Sequence, residues 1–223
     1  HLPAPKVFLN HGVADLFLNK IPSGFTKPDE AGQIRFGYAG NLLRPDIDRP
    51  MMQKIVCSNP EVHFEMWGAH DSQTSNLGSG GPGDAEHSFI AFLSDQENVV
   101  LHGPVSAQEL VDGFARMNGF LICYDIDKDQ SSGTNYHKIL EYLATGKVIV
   151  SNSVSTYKDI PLFRMCNSRS SNDEMPLLFK DTVEHIDEWN SEERCRHRIE
   201  FAAAHTYSKQ LEKIDDAVTS LPS

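Results

Sequence analysis

The sequence predicts an α/β fold organised around a doubly wound parallel sheet. Three observations carry that expectation. Strand-like runs alternate with helix-like runs of about ten residues along the chain, which is the pattern of βαβ units. The run from Gly119 to Tyr124 is apolar without alternation (Phe-Leu-Ile-Cys at 120–123), as a strand covered on both faces must be. Gly40, Gly68 and Gly103 each close a strand-like run, at the edge where ligands of open parallel sheets bind.

Taken in order, Ile34 to Ala39 reads as a strand that ends at Gly40-Asn41. Arg49 to Ser58 reads as a helix with Met52, Ile55 and Val56 on one face. His63 to Trp67 and Val99 to Leu101 are strands. Ser106 caps a helix carrying Leu110, Val111 and Phe114, with Glu109 at the capping-box position. Gly119 to Tyr124 is the buried strand. A short amphipathic helix around Leu140 ends at Gly146, and Val148 to Val150 and Pro176 to Phe179 complete the predicted strands. Ser191 to Thr219 is helical, with Tyr207 interrupting its charged face. His70 to Gly83 is a Gly- and Ser-rich loop, read either as a flap near a bound base or as a plain surface insertion, and Asn167 to Glu174 is a second polar loop.

With 223 residues, 39% hydrophobic and 23% charged, the chain can bury one large core or two small ones. A net charge of −11 argues against a nonspecific nucleic-acid binder, because phosphate contacts need clustered Lys and Arg. It leaves room for a nucleotide site, where a few cations and backbone amides suffice. Cys57, Cys123, Cys166 and Cys195 stand far apart, so neither a metal cage nor a disulfide framework is expected and a reducing cytoplasm is the natural setting. Cys57 and Cys123 lie in apolar surroundings and are expected to be buried. No apolar run approaches a membrane span and no signal peptide opens the sequence. The first residue is His1 rather than Met, and the sequence reads as part of a longer chain.

The most informative stretch runs from Ser131 to Ser151, SSGTNYHKILEYLATGKVIVS. A polar, glycine-bearing loop leads into a helix, a glycine ends the helix, and a strand of β-branched residues follows. Free backbone N–H groups and the positive end of a helix dipole make such a loop suited to an anion. Lys138 in the first turn is poorly placed for helix stability and well placed to meet a phosphate. Glu141 lies one turn on and can accept hydrogen bonds from paired ribose hydroxyls. Of the histidines, His11, His102 and His137 fall in loops near the expected cleft, and His137 is placed to hydrogen-bond a phosphate or leaving group.

The order loop, Lys138, Glu141-Tyr142-Leu143-Ala144, Gly146-Lys147 and strand resembles the donor-site helix of GT-B glycosyltransferases of the group 1 type. Phe36 to Leu42 is similar to the glycine-rich first strand and loop of their donor domain, and Asp48 with Pro60 to Gly68 to the segment that follows it. Glu97 to Val105 resembles the family's N-V-x-x-x-G stretch, Ala202 to Leu211 its terminal helix, and Phe8 to Asp15 its interdomain segment. The resemblance covers nearly the whole chain. It implies a C-terminal, Rossmann-like donor domain, with residues 1–30 as interdomain segment, 31–190 as the nucleotide-sugar-binding domain and 191–223 as helices packing back on it. The implied partner is a nucleoside diphosphate sugar, used in polysaccharide or glycoconjugate synthesis without a metal or other cofactor. The implied donor-binding residues are Gly40, Asn41, Arg44, Gly103, Val105, Tyr124, Thr134, Asn135, Tyr136, His137, Lys138 and Glu141. The acceptor domain, any catalytic group and any peripheral membrane contact would lie outside this sequence.

The departures from the family pattern matter. Gly133 stands where many relatives carry a glutamate that reads sugar hydroxyls, and Asn41 and Ile47 stand where an Arg and a Lys clamp the diphosphate. The phosphate charge would then fall to Lys138, helped by Arg44. Other readings stay open at this point. Asp125-Ile126-Asp127 fits the metal-holding Asp-x-Asp of GT-A enzymes, whereas an EF-hand fails at Gln130 and Tyr136. A dehydrogenase-type dinucleotide loop fails at Leu43, where the third glycine is required. A degenerate, non-catalytic module that binds only a nucleotide or a partner is the remaining alternative.

Overall fold

In a computed structural model, the residues described are 11–20, 32–71, 73, 83–129, 133, 136 and 138–219. They build a six-stranded sheet in which every neighbouring pair is parallel. The strands are β1 (Ile34–Ala39), β2 (Val62–Trp67), β3 (Val99–Gly103), β4 (Gly119–Ile122), β5 (Val148–Ser151) and β6 (Arg164–Met165), in the spatial order β3-β2-β1-β4-β5-β6. The chain winds outward from β1 to β3 and then crosses back to lay β4 beside β1. That reversal is the switch point at which an open α/β sheet leaves a crevice at its carboxyl edge.

Side-chain alternation divides the core into two layers. Phe36, Phe64, Leu121, Val148 and Val150 face α2 (Arg49–Ser58), α3 (Asp84–Ser94) and α6 (Met175–Glu184). Ala39, Trp67, Phe120, Ile122 and Ile149 face α4 (Ala107–Phe114) and α5 (Ile139–Ala144), with α1 (Asp15–Lys20) and α8 (Glu192–Ala203) beyond them. Both faces of the central strands are covered, which is why β4 and β5 are buried along their whole length. After α6, the short α7 (Ile186–Trp189) leads into α8, and α9 (Tyr207–Thr219) ends the described chain. Among the described residues, no helix is long and apolar enough to cross a membrane.

Local chemistry starts the helices where expected. Asp48 accepts the Met51 amide at the start of α2, which has a proline in its first turn. At α4 the Ser106 hydroxyl accepts the Glu109 amide while the Glu109 carboxylate accepts the Ser106 amide.

Two expectations fail here, and one strand went unread. Pro176 to Phe179 is not a strand but the start of α6, whose buried Met175, Phe179, Thr182 and Val183 follow helical spacing; four residues were too few to reveal that period. The sixth strand is Arg164–Met165, too short to carry a pattern. Cys57 is exposed on α2, because that helix turns Met52, Ile55 and Val56 inward instead, whereas Cys123 is buried.

The packing of α8 on α5 encloses a cation. Lys147 is only 1% exposed, and loss of water lowers its ammonium pKa from 10.5 to about 8, against an opposing influence of Cys195. The unfolded chain therefore holds more protons than the folded one between about pH 8 and 10.5, and stability contributed at Lys147 rises with pH over that window. Relative to Lys147→Met, the parent should gain about 1 kcal/mol of stability between pH 7 and pH 9, read by urea denaturation at both values. A gap that stays constant with pH would show that Lys147 keeps an ordinary pKa.

Candidate functional site

A cleft of about 330 Å³ opens at the carboxyl edge of the sheet, beside the switch point. Its floor is Ala39, Gly40 and Asn41 after β1, and Trp67, Gly68 and Ala69 after β2. Pro104 and Val105 after β3, Leu110 of α4 and Lys138 before α5 complete the wall. Hydrogen bonds tie these loops to one another: Gly40 N–H to Trp67 O (2.9 Å), Leu42 N–H to Ala69 O (2.9 Å) and Gly68 N–H to Gly103 O (2.9 Å). Gly68 adopts φ +129°, and a β-carbon there would lie 2.0 Å from the carbonyl oxygen of Gly40. Only glycine lets the two loops approach this closely.

The rigidity extends behind the floor. The Trp67 ring stacks on His102, with centroids 5.0 Å apart and planes within 9°. His102 Nε2 meets Glu65 Oε2 at 3.0 Å, and the other oxygen of this carboxylate accepts from Arg35 at 2.9 Å. His102 therefore belongs to β3 and to this cluster rather than to a loop.

Among the described residues, Lys138 is the only charged one lining the cleft. It caps α5 rather than lying in its first turn. Its ammonium is bound to Glu141 at 2.8 Å, so the two residues read from the sequence as phosphate and ribose contacts pair with each other. Glu141 reaches the cleft only through that ammonium. The helix itself is buried at Ile139, Leu140, Tyr142, Leu143 and Ala144, which overturns its reading as amphipathic: α8 covers the side that would otherwise face water. The Tyr142 hydroxyl accepts from Ala39 N–H at 2.7 Å and thereby fixes α5 against the end of β1.

The other predicted residues are placed as follows. Gly40, Asn41 and Val105 line the cleft with Lys138, and the Gly103 carbonyl holds Gly68. Thr134, Asn135 and His137 lie outside the described residues, as does most of the expected flap between His70 and Gly83. Arg44 is clamped by Asp46 through two hydrogen bonds, Nε to Oδ1 at 2.8 Å and Nη2 to Oδ2, and this carboxylate raises its pKa further. Tyr124 and Tyr136 turn inward and contact each other with centroids 4.4 Å apart. Burial pushes the Tyr124 phenol up to about 12. Ile47, at the position of the family's second clamp, is 1% exposed. Asp125 is spent on a local turn, accepting from Asp127 N–H at 3.0 Å and from Lys128 Nζ. Among the described residues, no group of three or more His, Cys, Asp or Glu is placed to hold a metal ion. Trp67, Gly68, Ala69 and Leu110 were missed as site residues, although the rule that parallel sheets bind at strand ends points to the first three.

No family model and no curated protein matches the sequence. Solved structures do match. HepE of Anabaena in complex with UDP and glucose superposes with a TM-score of 0.61 at 13% identity, over 86% of this chain and 50% of HepE. The fold is that of GT-B glycosyltransferases. The pneumococcal O-GlcNAc transferase GtfA in complex with UDP and GlcNAc gives a TM-score of 0.58 at 15% identity, over 95% of this chain and 38% of that one. Sucrose-phosphate synthase of Thermosynechococcus elongatus gives 0.63 at 12% identity, over 94% of this chain and 49% of that one. The chain thus spans half or less of the length of each of these GT-B structures.

Proposed function

We propose that this chain is the donor-binding half of a GT-B glycosyltransferase, holding a nucleoside diphosphate sugar for transfer in polysaccharide or glycoconjugate assembly. The observation that carries the reading is the cleft at the switch point, with Lys138 as its only charged lining residue among those described. A sugar donor leaves its diphosphate as an anion, and the task of such a half is to stabilise that charge. Lys138 would exchange Glu141 for the diphosphate, and the freed carboxylate would accept the ribose hydroxyls. Trp67 and Val105 supply an apolar wall against which a base can lie. The acceptor and any general base would come from a second domain whose closure excludes water. No divalent ion is assigned a role.

Calorimetric titration with UDP, GDP and ADP and with the parent nucleosides, in excess chelator, tests the reading. One diphosphate should bind at least about tenfold more tightly than its nucleoside, since each charged hydrogen bond contributes about 1.5–3 kcal/mol. If none of the three binds, the proposal fails. In the same assay Glu141→Ala should abolish the preference for the ribonucleotide over its 2′,3′-dideoxy form. A preference that survives the change would leave Glu141 as a structural partner of Lys138 only.

A second reading, a nucleotide-binding module without transferase activity, is favoured by one observation: both Arg44 and Lys138 already carry carboxylate partners. Nucleotide binding without sugar transfer by the full-length protein would select it.

A further inference from the structure

Asp129 is a buried carboxylate outside the cleft, with its side chain 2% exposed. A lone carboxylate at such a site would be costly, so its donors define its role. Its Oδ2 accepts from Gly133 N–H at 2.8 Å, from the Tyr136 hydroxyl at 2.6 Å and from Arg169 Nη2 at 3.4 Å. Gly133 and Tyr136 belong to the segment between β4 and α5, and Arg169 to the loop after β6.

Gly133 is held on its other side, where its carbonyl accepts from the Ser155 amide at 2.7 Å and the Ser155 hydroxyl at 3.1 Å. It adopts φ +64°, and a β-carbon there would meet Arg169 Nη1 at 1.9 Å and the Ser153 carbonyl at 2.8 Å. Tyr136 accepts from Asn152 Nδ2 at 2.9 Å, and Asn152 Oδ1 accepts from Tyr124 N–H at 3.1 Å. The Tyr136 carbonyl accepts from Ile139 N–H at 3.2 Å, the first residue of α5 and the neighbour of Lys138. Arg169 also donates to the carbonyls of Ser153 and Ile126.

One oxygen therefore joins the segment after β4 to the loop after β6, and through Gly133 and Arg169 to Ser155 and Ser153 after β5. Tyr136 stands two residues before Lys138, the cation of the cleft. A chain that needed only to cover its core would fill this place with an apolar side chain at lower risk, because a buried charge is safe only when every partner stays in place. We infer that Asp129 is a positioning residue for the donor cleft: it sets Tyr136 and the start of α5, and through them the ammonium of Lys138. This inference rests on the donor-binding reading, and it makes Asp129 act mainly on the diphosphate, which is assigned to Lys138, whereas the base is assigned to Trp67 and Val105 and the ribose to Glu141.

The test uses UDP and uridine as probes with Asp129→Ala, Asp129→Asn and the Lys138→Ala background. Asp129→Ala should weaken UDP binding about tenfold or more and uridine binding less than about twofold. Asp129→Asn keeps an acceptor oxygen for Gly133 and Tyr136 and should restore UDP affinity to within about threefold of the parent. In the Lys138→Ala background, Asp129→Ala should cost less than about twofold, because two residues acting on one contact are not additive. Equal losses for UDP and uridine, or an undiminished loss in the double variant, would reduce Asp129 to a general structural role and overturn the inference. Should the parent bind neither probe, the donor-binding reading itself is at fault. Limited trypsin digestion then decides the positioning claim on its own: faster cleavage after Lys128 and Lys138 in Asp129→Ala supports it, and an unchanged rate overturns it.

Discussion

Lys138→Ala is expected to lower affinity for the bound nucleoside diphosphate about thirtyfold, or about 2 kcal/mol, while affinity for the nucleoside changes less than about twofold. Two effects add. The change removes the ammonium that lines the cleft, and it leaves the Glu141 carboxylate, 19% exposed, without the partner that held it at 2.8 Å. An unneutralised carboxylate beside a diphosphate repels it, so the loss should exceed that of a single exposed ion pair. Stability without ligand should move by no more than about 0.5 kcal/mol. The variant forfeits an i,i+3 pair but also removes a cation from the positive end of a helix. Titration calorimetry with diphosphate and nucleoside, together with thermal unfolding, reads all three quantities. Equal losses for nucleoside and diphosphate would remove Lys138 from any phosphate role.

Gly68→Ala is expected to cost about 3 kcal/mol or more of stability and to close the cleft. The new β-carbon would stand 2.0 Å from Gly40 O and 2.6 Å from Gly40 C, and both are backbone atoms that no rotamer change can move. Relief would require breaking the Gly40-to-Trp67 or Gly68-to-Gly103 hydrogen bond, each contributing about 1 kcal/mol, on top of about 1–3 kcal/mol for a β-carbon at φ +129°. Gly40→Ala is the control. A β-carbon there would approach the Tyr38 hydroxyl at 3.0 Å, the end of a side chain that can give way, so its cost should stay near 1 kcal/mol. Urea denaturation of both variants reads the difference. A loss below about 1 kcal/mol for Gly68→Ala would mean that the loops after β1 and β2 do not pack as closely as described.

The local and periodic parts of this protein were legible in its residues. Ile34–Ala39, Arg49–Ser58 and the Ser106–Glu109 capping box emerged as read, because strand alternation, helix spacing and cap chemistry act over a few residues and leave their pattern in the sequence. The order of loop, Lys138, Glu141 and Gly146-Lys147 also pointed to the fold, through its resemblance to the donor-site helix of GT-B enzymes. Two-residue β6 and the proline-started α6 escaped, the one for lack of length and the other because four residues cannot distinguish a strand from one helical turn.

What the residues could not decide was how distant groups spend their charges. Lys138 read as a phosphate contact and Glu141 as a ribose contact, yet they bind each other; Arg44 read as a helper of Lys138, yet Asp46 holds it. Tyr124 and Tyr136 read as donor contacts, yet both turn inward, and Tyr136 joins Asp129 to Asn152. Such pairings depend on which loops the winding of the sheet brings to one edge, and Asp129 and Arg169 are forty residues apart along the chain. Short-range spacing is written in the sequence because local hydrogen bonds and periodic burial select each residue type in place. The partner of a buried or half-buried charge is set by the tertiary fold, because withdrawal from water leaves each group only the neighbours that packing provides.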